Sequence, residues 1–518
     1  MDGNLMKLDN RAEGPGFARR RLALGATAVV MGVTAVLGSG LTTAASAADG
    51  AQPTGIILGV GADESQRVVS WYSSANTAQV VQVAPASKLV NGKFPADAVT
   101  FPATVAANTV NGGYNGHATI DGLKQNTAYS YRVGADGSWS TTYSFKTQDF
   151  NGNNLDFLFF GDPQIGSSGD VAKDGAGWDD TLNVALAANP NAELLVSGGD
   201  QVESANNEPQ WNAFLAPDKL RQYPWAATIG NHDVGGKAYE QHFWTPNTDR
   251  SAPYYNGAAA TRSGGDYWYM YKNVLFIDIN SNAYASGSDA AHIGYITDVV
   301  KKHGADAKHT VLVYHHSIYS PADHANDSDN KQRRQDFPTA FSRLGVDLVL
   351  QGHDHSYSRS YVIKNGQKAN KGEQPGAAQV SKGPGGVIYV TANSASGSKY
   401  YDLTAPDTTK DPNYGPDPLN PKSHWANSVE NQEHVRTYVR VQVRGNKLVV
   451  ENIRSGTCAA PNAAVELGKV SWCGPGNGTG AAPAVGSTVD KVVIHSNGTD
   501  KGKADEAKPA TTEADWLQ

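Results

Sequence analysis

Residues Val346–Arg359, VDLVLQGHDHSYSR, set the reading of the fold. VDLVLQ is a short apolar run bounded by a break, the mark of a buried strand. Behind it Gly352 is followed by His353 and His355, one residue apart. Such a pair means little alone, but the arrangement recurs upstream. LDFLFF (155–160) runs into Gly161-Asp162, and AELLVSG (192–198) into Gly199-Asp200. WAATI (225–229) runs into Gly230-Asn231-His232-Asp233, and HTVLVY (309–314) into His315-His316. Between the first two runs, Trp178, Leu182, Ala185 and Leu186 fall at helical spacing. Strands alternating with helices predict an α/β domain with a largely parallel central sheet. In such a sheet the carboxyl ends of the strands converge on the ligand crevice. Five strand ends therefore bring Asp, Asp, Asn, His and a His-x-His pair to one rim. Carboxylate oxygen, amide oxygen and imidazole nitrogen are the donors that hard and borderline metals take. Glycines beside four of these ends let the backbone turn and let other chain come close.

Outward from this core, the chain of 518 residues is too long for one ordinary hydrophobic core. From GIILGVG (55–61) to TTYSFKT (141–147), short β-branched and aromatic runs separated by turn residues predict a small all-β sandwich over 50–148. Trp71 falls in its core. The α/β domain is expected over 153–456, closed by a hairpin of VRTYVRVQV (435–443) and KLVVENIR (447–454). Stretches 365–385 and 402–432 read as surface loops, and 457–518 as a C-terminal appendage or tail carrying one strand-like run, VDKVVIH. At the other end, Arg19, Arg20 and Arg21 precede an uncharged run from Leu22 to Leu41, then Ala45-Ser46-Ala47. This is the layout of a twin-arginine-type signal peptide over 1–47, with export and cleavage rather than a stable membrane anchor. In an oxidising compartment the two cysteines, Cys458 and Cys473, are expected to form a disulfide. Two cysteines cannot build a structural zinc site. The formal net charge is -7 and no basic stripe is present, which argues against nucleic acid as a partner.

The series GD…GD…GNHD…HH…GHxH resembles the calcineurin-like metallophosphoesterases, and the preceding β-sandwich narrows the resemblance to the purple-acid-phosphatase-like branch. It covers roughly Gly55 to Arg454, and the stretch Leu123–Gly134 resembles the late strands of a fibronectin type III-like module. The resemblance implies a four-layer α/β/β/α sandwich with two metal ions sharing one carboxylate, Fe, Zn or Mn in divalent or mixed-valence form. Residue by residue, Asp200 resembles the bridging aspartate. Asp162 and His355 correspond to the first metal, and Asn231, His315 and His353 to the second. The family's His-x-Pro pattern stands here as His315-His316-Ser317, which favours His315 over His316 as ligand. His232 and His324 match substrate-facing, catalytic histidines. Two departures matter. Glu203 stands where purple members carry a metal-binding tyrosine, and Gln164 where many relatives outside that branch carry histidine. Either residue can ligate, and Glu203 can equally bridge through water or face solvent. The implied activity is phosphomonoester hydrolysis of a small-molecule substrate outside the cytoplasm. Phosphodiester or nucleotide hydrolysis on the same fold is the alternative, and a non-catalytic metal-binding surface protein the third reading. With alternate residues of an extended segment pointing the same way, His353 and His355 are expected to serve one ion each, with Asp354 turned away. Tyr400 or Tyr401 is expected beside the cleft. The remaining histidines are read as packing or surface residues.

Overall fold

The computed structural model describes residues 52–250, 263–284, 287–456 and 484–496. The expected signal peptide and both Cys458 and Cys473 lie outside the described residues. Two large sheets form the centre of the molecule. Within each strand, alternate side chains part to opposite faces. In Asn154–Phe160, Leu155, Phe157 and Phe159 enter one core while Leu158 and Phe160 enter another. Val311 and Val313 of His309–Val313 join the first of these cores, and Leu312 a third. The shared core is thus the seam between the two sheets, and each outer core lies beneath helices. Val171–Ala188 and Glu208–Leu215 cover one sheet through Trp178, Leu182, Trp211 and Phe214. Ser288–His303 and Ser328–Arg343 cover the other through Ile293, Ile296, Phe337 and Phe341. The result is the four-layer α/β/β/α sandwich. Helix starts are set locally: Asp170 and Asn207 each accept from the backbone N–H three residues on.

Alternation with helices predicted a largely parallel central sheet; the strands divide between two mixed sheets, as the four-layer resemblance implied. In the first sheet Asn154–Phe160, Leu194–Ser197 and Trp225–Ala226 run parallel. The hairpin Thr437–Arg444 and Lys447–Arg454 docks antiparallel on Asn154–Phe160. In the second, Val274–Asp278, His309–Val313, Leu348–Gln351 and Ile388–Thr391 are parallel, with antiparallel strands at either side. Burial on both faces makes each central strand uniformly apolar, so sequence could not assign it to a sheet.

Three expected boundaries shift. Thr488–His495, read as part of a tail, is a strand of the first sheet, antiparallel to Lys447–Arg454 and parallel to Gln379–Ser381. Its Val492 and Ile494 enter the central core, and its Asp490 pairs with Arg359 (Nε to Oδ2, 2.6 Å) and accepts from Tyr357 (2.8 Å). Within the expected loop 402–432, Asn427–Asn431 pairs with Tyr357–Ser360. Finally, the N-terminal β-module has its own core around Trp71, Val81, Tyr131 and Phe145. Yet its strand Thr54–Val60 pairs parallel to Trp225–Ala226 at Gly59 and Trp225, so the first sheet runs unbroken through both parts.

Candidate metal centre

The carboxyl ends of the parallel strands from both sheets meet at one rim. From the first sheet come Asp162, Asp200 and Asn231, and from the second His315, His353 and His355. Asp162, Asp200, His315 and His355 are essentially sealed, whereas Asn231 is exposed and His232 and His324 half-buried. The rim is therefore a buried floor with an open, polar edge.

Backbone strain concentrates here. Gln164, Asp200, His353 and His355 all hold left-handed conformations, with φ of 36°, 45°, 73° and 42°. Such values are costly for residues with a Cβ and mark functional sites. They also correct the expectation of an extended His-x-His segment: the chain bends through His353–Ser356 with both histidines left-handed, and His353 meets His315 while His355 meets Asp162. Asp354 between them does turn away. Its carboxylate accepts from Ser320 Oγ (2.6 Å), Ala322 N (3.0 Å) and His324 N (3.2 Å) and so fastens the loop that carries His324. Burial pushes the Asp354 carboxyl up to about 6. Two glycines are obligatory for closeness. A Cβ on Gly230 would lie 1.9 Å from Asp200 Oδ1, and one on Gly352 2.2 Å from Asp162 Oδ1.

The hydrogen bonds fix the tautomers. His315 Nδ1 donates to the Gly198 carbonyl (2.8 Å) and His355 Nδ1 to the Lys399 carbonyl (2.9 Å). A carbonyl only accepts, so in each neutral ring Nε2 carries the lone pair. The His355 lone pair faces Asp162 Oδ2 at 3.2 Å. That of His315 faces Asn231 Oδ1 (2.9 Å), His353 Nδ1 (3.1 Å) and Asp200 Oδ2 (3.2 Å). Acceptors facing acceptors in a buried place call for a cation or a proton between them. Asp200, His315 and His353 put one ligating atom each within 4.8 Å of one another, so the donor set fits a metal ion. Among the described residues the other such trio is His324, Asp327 and His353; Asp162 and His355 stand alongside as a pair. Without metal, the proton takes the place: burial pulls the His315 imidazole down, but Asp200 and Asp162 outweigh it and hold it at about 9. Burial, together with the neighbouring histidines, pushes His353 well below its ordinary value and keeps the ring neutral.

His316 does not join the converging atoms. Its Nδ1 pairs with Ser281 Oγ (2.8 Å), and its ring packs 4.6 Å from that of His353. The His232 backbone N–H donates to Asp200 Oδ1 (2.9 Å), and its ring Nδ1 donates to the Glu203 carbonyl (2.8 Å). Burial lowers its pKa, while Asp200 and Glu203 raise it to a net value above the ordinary one. His324 stacks on His353 at 3.8 Å and is held through Nδ1 by Asp327 Oδ2 (2.7 Å). Gln164 and Glu203 bond to each other, Nε2 to Oε2 at 2.8 Å. Tyr401 stands edge-on to His324 and His355, 5.3 and 5.2 Å away, while Tyr400 stacks on His434.

Sequence reasoning assigned no role to Asp233, whose carboxylate accepts from Gly230 N (2.9 Å) and Gln201 N (3.0 Å) and ties two metal-site loops together. The GNHD tetrapeptide was the available signal. It also passed over Asp327, three residues after His324. The Lys399 carbonyl has no sequence signature at all.

Residues 155–357 match a family model, Calcineurin-like phosphoesterase. Residues 53–147 match a second, Purple acid Phosphatase, N-terminal domain, and over these two parts the chain is purple-acid-phosphatase-like. An uncharacterized protein of Mycobacterium tuberculosis is 25% identical over 283 residues, 48% of this chain and 51% of that protein. Purple acid phosphatase 21 of Arabidopsis thaliana is 25% identical over 344 residues, 64% of this chain and 71% of the relative. The chain thus spans about half the length of the first of these curated relatives. Among solved structures, a purple acid phosphatase from yellow lupin (Lupinus luteus) seeds superposes with a TM-score of 0.62 at 16% identity, over 90% of this chain and 76% of that one, a likeness of fold.

Proposed function

We propose that the chain is a metal-dependent phosphoric ester hydrolase acting on small-molecule phosphomonoesters. The observation that carries this reading is the convergence, at an open rim, of tautomer-fixed imidazole lone pairs on carboxylate and amide oxygens. Asn231, His315 and His353 would hold one metal ion, Asp162 and His355 a second, with Asp200 shared. Metal ions held by these residues would supply the positive charge for phosphoryl oxygens and lower the pKa of bound water towards neutrality. The N/O donor set suits Fe, Zn or Mn.

The chain's own residues then orient and move protons. His232, anchored through Nδ1–H on the Glu203 carbonyl, presents Nε2 as its titrating nitrogen. Its raised pKa keeps it charged at mildly acidic pH, suited to binding a phosphoryl oxygen. His324, oriented by Asp327, is placed to give a proton to the departing alkoxide, a role worth about 10²–10⁴-fold in rate. Export to an extracytoplasmic site is part of the proposal, resting on Arg19–Arg21, the apolar run and Ala45-Ser46-Ala47. No described helix is long and apolar enough to cross a membrane.

Turnover of a chromogenic phosphomonoester by His232→Ala and Asp200→Asn tests the reading. Both are expected to lose at least about a hundredfold in kcat/KM. Unchanged turnover in both overturns it. Rates on a mono- and a bis-ester of one chromophore check the monoester preference.

A further inference from the structure

The side chain of Gln164 is 1% exposed, yet its Oε1 has no hydrogen-bond partner. Its Nε2 donates to Glu203 Oε2 at 2.8 Å, which fixes which end of the amide is oxygen. A buried acceptor left unpaired costs about 1–3 kcal/mol, so its retention asks for a partner, and beside carboxylates and imidazoles a metal cation is one that an amide oxygen takes. The backbone ties Gln164 to Asp200, the shared aspartate. Gln164 N donates to the Asp200 carbonyl (2.7 Å), Ile165 N to Gln201 (3.1 Å) and Glu203 N to Ile165 (3.0 Å). This zipper holds segment 162–165 along 200–203 and sustains the left-handed φ at both Gln164 and Asp200. Asp162 opens the first of these segments, two residues before Gln164, and pairs with His355, one carboxylate oxygen and one imidazole nitrogen at 3.2 Å. That pair lacks a third donor of its own among the described His, Cys, Asp and Glu residues.

We propose that Gln164 Oε1 is the missing donor: it completes the shell of the ion held by Asp162, His355 and the shared Asp200, while Glu203 is a brace and not a ligand. This rests on the dinuclear reading above. Glu203 is employed twice, its carboxylate on the Gln164 amide and its carbonyl on His232 Nδ1, and its side chain is 34% exposed. The shell so formed contains two carboxylates, one of them shared, a neutral imidazole and a neutral amide. With so little negative charge and neither phenolate nor thiolate among these donors, the site is matched to a divalent ion of hard or borderline character.

Mn²⁺ titration of the metal-free full-length chain, without substrate, tests this by calorimetry and by the free-Mn²⁺ resonance signal. Wild type is expected to take up two ions. Gln164→Ala should weaken one of them about 10–100-fold, and Glu203→Gln should keep both. Gln164→Glu, which restores an oxygen at the same reach, should recover or tighten the weakened ion, so poor folding of the alanine variant does not decide the outcome. The Mn²⁺-induced rise in melting temperature should shrink in Gln164→Ala and return in Gln164→Glu. Two ions bound by Gln164→Ala at wild-type affinity, or no recovery in Gln164→Glu, overturns the assignment. A wild type that binds both ions but cleaves no phosphoester retires the hydrolytic reading and leaves this one standing.

Discussion

His315 shows what a single residue contributes. In the metal-free chain its imidazole is held at about 9 by Asp200 and Asp162 against the pull of burial, compared with about 6.5 in an unfolded chain. The raised value means that protonated His315 favours the fold. That contribution is complete below about pH 6.5 and is lost as pH rises towards about 9. A metal ion must displace the same proton, so uptake runs the other way. Apparent Mn²⁺ affinity should rise up to about tenfold per pH unit between pH 6.5 and 9, while the urea midpoint of the metal-free chain falls over that window. Titrations at three pH values check both signs. Asp354 belongs to the same scale. Asp354→Ala strands the Ser320 hydroxyl and the N–H groups of Ala322 and His324, at about 1–3 kcal/mol for each group that stays buried. Since that loop carries His324, kcat should fall more than KM rises. The strand-end residues were legible in sequence because a strand ending in Gly-Asp or Gly-x-His announces its own direction. Asp327 and the Lys399 carbonyl were not, because their partners are chosen by tertiary packing.

Among the elements, the strand Thr488–His495 has the largest leverage for its length. Its Asp490 neutralises Arg359 and receives Tyr357, two residues of the strand that leaves the His353–His355 bend. Asp490→Ala leaves a buried guanidinium without its carboxylate and should cost about 3–5 kcal/mol, read from urea denaturation. Disturbance at His355 should follow as a weakened Asp162-side ion. Sequence showed the alternation in VDKVVIH, but the Gly-, Ala- and Pro-rich surroundings argued for a tail. What decided otherwise was the edge of Lys447–Arg454, a partner that no local pattern announces, paired from Ile453 with Thr488 to Lys447 with His495.

For the whole molecule, alternation of strands and helices predicted an α/β domain, and the four-layer build with its two sheets followed from the family resemblance. Which strand joins which sheet did not, since a strand apolar on both faces carries no record of its neighbours. Nor did the composition change near residue 150 reveal that one sheet crosses it. Tyr131 OH of the β-module donates to the Arg221 carbonyl (2.9 Å), beside the Gly59–Trp225 pairing. Deleting 52–148 should uncover the Trp225 edge and leave an α/β part that aggregates. Soluble yield and sedimentation of the shortened chain check this.

Each proposed ion takes donors from both sheets: Asp162 with His355 on one side, Asn231 with His315 and His353 on the other. Chemically the proposed ions would belong to a reaction centre; mechanically they would be a pair of rivets through the rim of a two-leaved book. The spine of that book is the apolar seam, which needs no metal. Chelation should therefore let the leaves part at the riveted rim alone. Amide exchange would quicken at the carboxyl ends of Leu194–Ser197 and Leu348–Gln351 and stay slow at their opposite ends.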